Sequence, residues 1–392
     1  MKKKIAILGS TGSIGKSLLK IIEADKKKYE IILLTANKDY KSLIKQANKF
    51  KVKNLIITDK NTYNIAKQNI KNKKIKIFNN YDQYKNIFKY KIDYVMSAIT
   101  GLDGLNPTIK IIKHTKNIAI ANKESIICAW YIIKKELKKY KTFFIPVDSE
   151  HFSIWYGLKE NNIKFVEKIY LTASGGPFYK TPLKKLKKIK INEALNHPNW
   201  KMGKKISIDS ATMINKIYEL IEAKNIFNFP YKKIEIIIHP KSYVHAIIKF
   251  NGGITKIIAH DTTMIIPIFN TLHFNSEKKI LSKKVDFKIL NNLCFSKVNK
   301  KKYPMIKLIE LLPNKSSLYE TVIVAANDTL VDLFLKKKIK YLNIQKELFR
   351  FIQSKEFLKY KKITPENVKD IMKLNEYVRL KLTKKVYKFS DV

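Results

Sequence analysis

The sequence predicts an α/β fold in three parts: an N-terminal Rossmann-like, doubly wound domain, a central α+β domain and a C-terminal helical domain. Three observations carry this. Short apolar runs at Lys4–Leu8, Ile31–Thr35, Asn54–Thr58, Tyr94–Ala98, Ile118–Ile120 and Thr142–Ile145 alternate with helical patterns such as Tyr40–Lys49 and Leu105–Lys113. That alternation builds parallel sheets. After His151 the pattern changes to strands at Val166–Thr172, Ile234–Ile238, Val244–Phe250 and Ile254–Ala259. The last three are expected to be antiparallel, with Asn251-Gly252-Gly253 as a hairpin turn. From Leu308 onward helices dominate, at Leu318–Lys337, Ile344–Lys355 and Thr364–Leu382. The expected segments are 1–147, 148–275, a linker over 276–305, and 306–392.

Composition narrows the class. A chain of 392 residues, 45% hydrophobic, can bury a large core in two or three domains. No uninterrupted apolar run reaches the ~18 residues of a membrane span. A first strand at Lys4 leaves no room for a targeting peptide, and two cysteines, Cys128 and Cys294, suit a reducing cytoplasm. The net charge of +47 invites a nucleic-acid reading. Against it, the basic residues are spread along the chain and are lysine everywhere except Arg350 and Arg379. Readers of bases and phosphates favour the arginine fork. Abundant Lys, Asn, Ile, Tyr and Phe, all with A+T-rich codons, point to drift in an A+T-rich bacterial genome, with no specific nucleic-acid partner.

The first strand runs into Gly9-Ser10-Thr11-Gly12-Ser13-Ile14-Gly15, followed by a helical pattern through Leu18, Leu19, Ile21 and Ile22. Strand, glycine turn and helix form the setting in which a dinucleotide pyrophosphate lies on a helix N-terminus. An ordinary turn in an unrelated α/β domain is the competing explanation. The second strand ends in Ala36-Asn37-Lys38, with Asp39 next. An NAD site usually carries a carboxylate there, whereas Lys38 suits a 2′-phosphate, so NADP is favoured. Ala121-Asn122-Lys123-Glu124-Ser125 follows a strand and opens a helix. Asn122 can cap that helix and Glu124 can favour its dipole, at the sheet edge where ligands bind.

Pro146-Val147-Asp148-Ser149-Glu150-His151 ends the last strand of the first part. Read as an extension of that strand, it sends the carboxylates of Asp148 and Glu150 to one side, where both could face one hard cation. Ala173-Ser174-Gly175-Gly176-Pro177 is a small-residue turn offering amides and a hydroxyl to an anion. Farther on, Asn215 and Glu219 stand one helical turn apart. Glu219 thus offers a third carboxylate, while Asn215 and Lys216 address a phosphate. The competing explanation makes Glu219 a solvated helix residue and Trp200 part of the core.

Taken together, the motifs resemble the 1-deoxy-D-xylulose 5-phosphate reductoisomerase family over almost the whole chain. They are GSTGSIG at Gly9–Gly15, ANKES at Ala121–Ser125, PVDSEH at Pro146–His151, SGGPF at Ser174–Phe178, HPNWKMGKKISIDSATM at His197–Met213, and Ala325-Ala326-Asn327-Asp328. The resemblance implies a homodimer with an NADPH domain, a central catalytic domain and a helical domain. It implies Mg²⁺ or Mn²⁺, with Co²⁺ a further option, on Asp148, Glu150 and Glu219. A phosphosugar is expected on Lys123, Ser149, Glu150, Ser174, His197, Ser210, Asn215, Lys216 and Glu219. Lys123, Glu150 and His197 are the expected catalytic residues, and Trp200 and Met202 match a lid. NADPH is expected to touch Thr11, Gly12, Ser13, Ile14, Asn37, Lys38, Asp39, Asn122, Glu124 and Gly203. The implied reaction converts 1-deoxy-D-xylulose 5-phosphate to 2-C-methyl-D-erythritol 4-phosphate in the non-mevalonate isoprenoid pathway. The alternatives are a related NADPH oxidoreductase on another phosphosugar, or a basic nucleic-acid-binding protein on a retained enzyme fold. The chain departs from the family pattern at Asn37 and Ile217, each in place of the glycine that the resemblance implies, and at Ala259–Met264 and Phe274-Asn275.

Overall fold

A computed structural model of the chain describes residues 1–159 and 161–390; Glu160 and the last two residues of the expected helical domain lie outside them. Two compact units form, each discontinuous in sequence. The first comprises Met1–Ser125, Ile133–Phe152 and Thr263–Ser282; the second comprises Ile126–Ile132, Ser153–Thr262 and the chain from Lys283 onward.

The first unit is built on β1 (Lys3–Leu8), β2 (Tyr29–Ala36), β3 (Asn54–Ile57), β4 (Lys76–Phe78), β5 (Tyr94–Ser97), β6 (Asn117–Ile120) and β7 (Phe143–Pro146). They form one all-parallel sheet in the order β4-β3-β2-β1-β5-β6-β7. Such strands are covered on both faces, which is why Ile5–Leu8 in β1 and Tyr94–Met96 in β5 read as unbroken apolar runs. β4 escapes the sequence pattern: it is a three-residue edge strand, Lys76-Ile77-Phe78, with no residue fully buried. The winding reverses between β1 and β5, and the crevice at their C-terminal ends is where such sheets take ligands. The helix Ser13–Glu23 buries Gly15, Leu18, Leu19 and Ile22, a 3.6-residue stripe facing the core. The helix Ile265–Leu272, far away in sequence, packs against it. Thr271 Oγ1 meets Tyr94 OH at 2.9 Å, and Lys3 Nζ donates to Leu272 O at 2.6 Å.

In the second unit β8 (Val166–Ala173), β9 (Ile234–Ile238), β10 (Val244–Phe250), β11 (Thr255–Ala259) and β12 (Ser296–Lys297) form a mixed sheet. Its order is β11-β10-β8-β9-β12. β10 and β11 make the expected antiparallel hairpin, with Gly253 at φ +85°. β9 runs opposite to β10, as expected, but is not its neighbour: β8 lies between them, antiparallel to β10 and parallel to β9. The helix Ile214–Phe227 lies in the crossover from β8 to β9, and a crossover returns a strand in the same direction. Within the expected linker, a short helix at Phe287–Leu290 and strand β12 give the chain a place on the sheet. The helical part follows, with Tyr319–Leu335 buried between Tyr341–Ile352 and Val368–Ser390. Among the described residues no helix is long and apolar enough to cross a membrane.

Candidate active site

The sequence-predicted residues of the first unit gather at the C-terminal edge of its sheet. After β1 the chain turns at Gly9, whose φ is +78° and whose added Cβ would stand 2.7 Å from Ala98 O. Thr35, at the end of β2, fixes the turn: its hydroxyl accepts from Gly9 N and its carbonyl from Ser10 N, both at 2.9 Å. A Cβ on Gly15 would fall 2.5 Å from Ser10 Cα, so only glycine lets the helix Ser13–Glu23 start so close to the strand. Its N-cap, Gly12, has no side chain to occupy the first-turn amides, and Thr11, Ser13 and Ile14 remain at least partly exposed around them. That leaves donors and a positive helix end for an anion.

Asn37, Lys38 and Asp39 follow β2 and are exposed. Asp39 caps the helix Tyr40–Phe50 by accepting from Ser42 N at 3.1 Å, and Asn37 Nδ2 donates to Thr58 Oγ1 at 2.8 Å. Asn37 is not among the positive-φ residues, so its departure from the family glycine brings no backbone strain. Asn122 caps the helix Lys123–Lys139 through Ser125 N at 2.6 Å and also donates to Gly101 O at 2.7 Å. Glu124 is buried in the first turn. The capping expectation for this motif is met, and the motif follows the C-terminal end of β6.

Around Asp148 the structure corrects the strand-based argument. β7 stops at Pro146, and the helix Ser149–Gly157 begins inside the motif. Proline cannot donate to the ladder, and Asp-Ser is a helix-starting pair. Asp148 Oδ1 accepts from Ser149 N at 3.0 Å and its carbonyl from Phe152 N at 2.7 Å. Glu150 lies in the first turn, where Ser149 Oγ donates to its Oε2 at 2.7 Å. Lys123 Nζ stands 3.1 Å from Asp148 Oδ2, and His151 Nδ1 lies 4.0 Å from the same oxygen. His151 was not among the expected site residues; its i, i+3 spacing from Asp148 on a helix is the signal that could have found it. Asp148 Oδ2 is buried and already faces a cation, the Lys123 ammonium, as a hard carboxylate donor does.

The second unit assembles a polar cleft from three separate stretches. Beyond β8 the turn Ser174-Gly175-Gly176 carries φ values of +84° and +64° at its glycines. A Cβ on Gly176 would stand 2.9 Å from Ser210 O, so the turn lies directly on the helix Lys204–Thr212. Met213, at φ +70°, breaks that helix from the next, Ile214–Phe227. Ser174, Gly176, Ser210, Asn215 and Lys216 line one small cleft. His197 Nδ1 accepts from Asn199 N at 3.2 Å and Trp200 N at 3.1 Å, which puts the ring proton on Nε2. Nε2 then donates to Ser174 Oγ at 3.1 Å, as Gly176 N does at 3.0 Å. With its oxygen accepting twice, Ser174 keeps its own proton to give to an anion. Burial first, and the nearby Lys216 ammonium second, push the His197 pKa down to about 4, so the ring is neutral at pH 7.

Glu219 is nearly fully buried, with Oε2 accepting from Lys216 Nζ at 2.6 Å and Oε1 from Asn215 Nδ2. It is no solvated helix residue. Ile217 stands in the same helix, fully buried and not at positive φ, so its replacement of the family glycine is harmless. Gly203 is the N-cap of Lys204–Thr212, and a Cβ there would meet nothing within 4 Å. The expected lid residue Trp200 sets its ring edge on His245 at 6.1 Å, and His245 stacks on His260 at 3.8 Å. His260 belongs to the departing segment Ala259–Met264.

Comparison with known proteins gives one consistent answer. A family model described as 1-deoxy-D-xylulose 5-phosphate reductoisomerase matches residues 5–130, and models of the C-terminal domain of that family match 144–227 and 261–381. The 1-deoxy-D-xylulose 5-phosphate reductoisomerase of Pelagibacter ubique is 58% identical over 383 residues, 97% of this chain and 99% of the relative. The Zymomonas mobilis enzyme solved with NADPH is 31% identical, covering 98% of this chain and 99% of its own, with a TM-score of 0.87. A DOX-P reductoisomerase solved with NADPH, fosmidomycin and magnesium is 29% identical over 99% of both chains, with a TM-score of 0.90. With near-complete coverage and domain models along its length, this chain belongs to the 1-deoxy-D-xylulose 5-phosphate reductoisomerase family.

Proposed function

We propose that the chain catalyses the rearrangement and reduction of 1-deoxy-D-xylulose 5-phosphate to 2-C-methyl-D-erythritol 4-phosphate, using NADPH and Mg²⁺, in the non-mevalonate isoprenoid pathway. The observation that carries this reading is the helix Ile214–Phe227: it brings phosphate-binding Asn215 and Lys216 and the carboxylate of Glu219 onto one face. Such a face would hold a phosphate and lend a carboxylate to a divalent cation.

The residues fit both groups. At the glycine turn, Gly12 as N-cap leaves the first-turn amides of the helix Ser13–Glu23 without a capping side chain, which is what a pyrophosphate needs there. The carboxylates of Asp148, Glu150 and Glu219 are hard oxygen donors suited to Mg²⁺, with Mn²⁺ or Co²⁺ as substitutes. When bound, the metal supplies Lewis-acid polarisation of the ketone and its adjacent hydroxyl, and NADPH supplies the hydride. Ser174, Ser210, Asn215 and Lys216 grip the phosphate, remote from the reacting carbons, and so orient them. Neutral His197 donates from Nε2 and cannot repel Lys216, while Lys123 and Ser149 address the sugar hydroxyls beside Asp148 and Glu150. Trp200 and Met202 close over the substrate and exclude water. Lys38 favours the 2′-phosphate, and Thr11–Ile14, Asn37, Asp39, Asn122, Glu124 and Gly203 complete the dinucleotide site.

The same reading takes 1–147 as the NADPH domain, 148–275 as the catalytic domain, 276–305 as the linker and 306–392 as the helical domain. It makes the protein a cytoplasmic homodimer without a specific nucleic-acid partner.

The test is direct. Purified protein with the deoxyxylulose phosphate, NADPH and Mg²⁺ should oxidise NADPH and yield the methylerythritol phosphate, and EDTA should abolish turnover until metal is restored. Asp148→Asn, Glu150→Gln and Glu219→Gln should each cost about a hundredfold or more in kcat, with thermal stability little changed. Full activity in EDTA-treated protein without added metal would sink the assignment.

A further inference from the structure

The helix Lys204–Thr212, which carries Ser210 to the cleft, is held from behind by a line of charges to which the reaction assigns no part. Asp209, next to Ser210, is fully buried. Its Oδ1 accepts from Asn327 Nδ2 at 2.8 Å, and its Oδ2 lies 2.9 Å from Lys205 Nζ. The same ammonium stands 3.1 Å from Asp328 Oδ1 and 5.2 Å from the ring centre of Tyr218. Asp328 Oδ2 accepts from Arg379 Nη2 at 2.8 Å, while Arg379 Nε donates to Asn375 Oδ1 at 2.9 Å. The line therefore runs from the helix Val368–Ser390, through Tyr319–Leu335, to the two helices that bear Ser210, Asn215 and Lys216. Two buried tyrosines tie the same C-terminal part to the backbone of the cleft. Tyr303 OH donates to Gly175 O and Tyr341 OH to Ala211 O, each at 2.7 Å.

Composition singles out one member. Of 79 basic residues only two are arginine, and Arg379 is one of them. Its planar fork addresses Asn375 and Asp328 from separate nitrogens, which a lysine ammonium cannot reproduce. Lys205 between two carboxylates, and Asp209 away from water, each depend on the partner beyond.

We propose that Asp328 and Arg379 are positioning residues for phosphate recognition: through Lys205 and Asp209 they set where Ser210 and the Ser174–Gly176 turn stand. The C-terminal helices then act on substrate affinity without touching substrate. This rests on the phosphosugar reading above.

The experiment compares wild type, Arg379→Lys and Asp328→Asn in the full chain. It measures kcat, KM for the deoxyxylulose phosphate, KM for NADPH, thermal stability, and the Kd of inorganic phosphate by calorimetry. Positioning predicts that the sugar-phosphate KM and the phosphate Kd both rise about tenfold, short of the ~100-fold that a full 1 Å misplacement can cost. The NADPH KM should stay unchanged and kcat should be nearly so. Values unchanged from wild type would overturn the proposal, and so would an NADPH KM that rises in step, since that is general loosening. If Arg379→Lys fails to fold, Asp328→Asn, which keeps the side-chain shape, decides the matter by the same numbers. A wild type that binds phosphate but does not turn over the sugar would defeat the functional reading, while the phosphate Kd values would still judge this one.

Discussion

The two anion sites proposed for this protein are made of different material. The turn Gly9–Gly15 offers backbone amides from one continuous stretch, and its glycines matter for the atoms they lack. The Ser174 cleft offers hydroxyls, an amide and an ammonium from three stretches, and its residues matter for the atoms they bring. A site built from absent atoms fails abruptly when one is added, because the obstruction is backbone. One built from side chains loses affinity by the group removed.

The largest effect should therefore come from one methyl group. Gly15→Ala drives a Cβ into Ser10 Cα and Gly9 O, so we expect NADPH binding to be lost and stability to fall by about 1–3 kcal/mol. Gly12→Ala, whose Cβ would sit 3.4 Å from Gly9 O, should be tolerated far better. Dinucleotide titration and thermal melts on the pair check this, and equal behaviour would break the comparison. In the cleft, Ser174→Ala removes one donor to a charged group. The sugar-phosphate KM should rise roughly tenfold or more at little cost in stability; a melting loss as large as that of Gly15→Ala would show that the cleft, too, is structural. The smallest effect is expected at Lys38. It is exposed, and exposed charge pairs contribute under ~1 kcal/mol. Lys38→Asp should lower the NADPH-to-NADH preference in kcat/KM by roughly fivefold, and an unchanged ratio would remove Lys38 from the cofactor site.

That contrast also explains what was legible in the sequence. The glycine turn, the cap at Asn122 and the face shared by Asn215, Lys216 and Glu219 depend on residues a few positions apart, and the structure bears out their local geometry. Asp148 and Glu150 were read by the alternation of a strand, but Pro146 ends the ladder and the helix takes over at Ser149. The place of β9 beside β8 depends on where a crossover delivers it, and no spacing within Ile234–Ile238 records that. The column of Trp200, His245 and His260 joins residues from three stretches, each unremarkable alone.

One feature of the fold bears on how the chain is made. The helix Ile265–Leu272 covers Ser13–Glu23, yet the ribosome reaches it only after most of the second unit's sheet has emerged. At roughly 5–20 residues per second, the first unit waits several seconds with the apolar stripe of Leu18, Leu19 and Ile22 short of its final cover. Neither unit can be finished and set aside before the other is well advanced. During synthesis the nascent first unit is thus an open parallel sheet awaiting its last helix, with apolar surface left uncovered until residue 272 arrives.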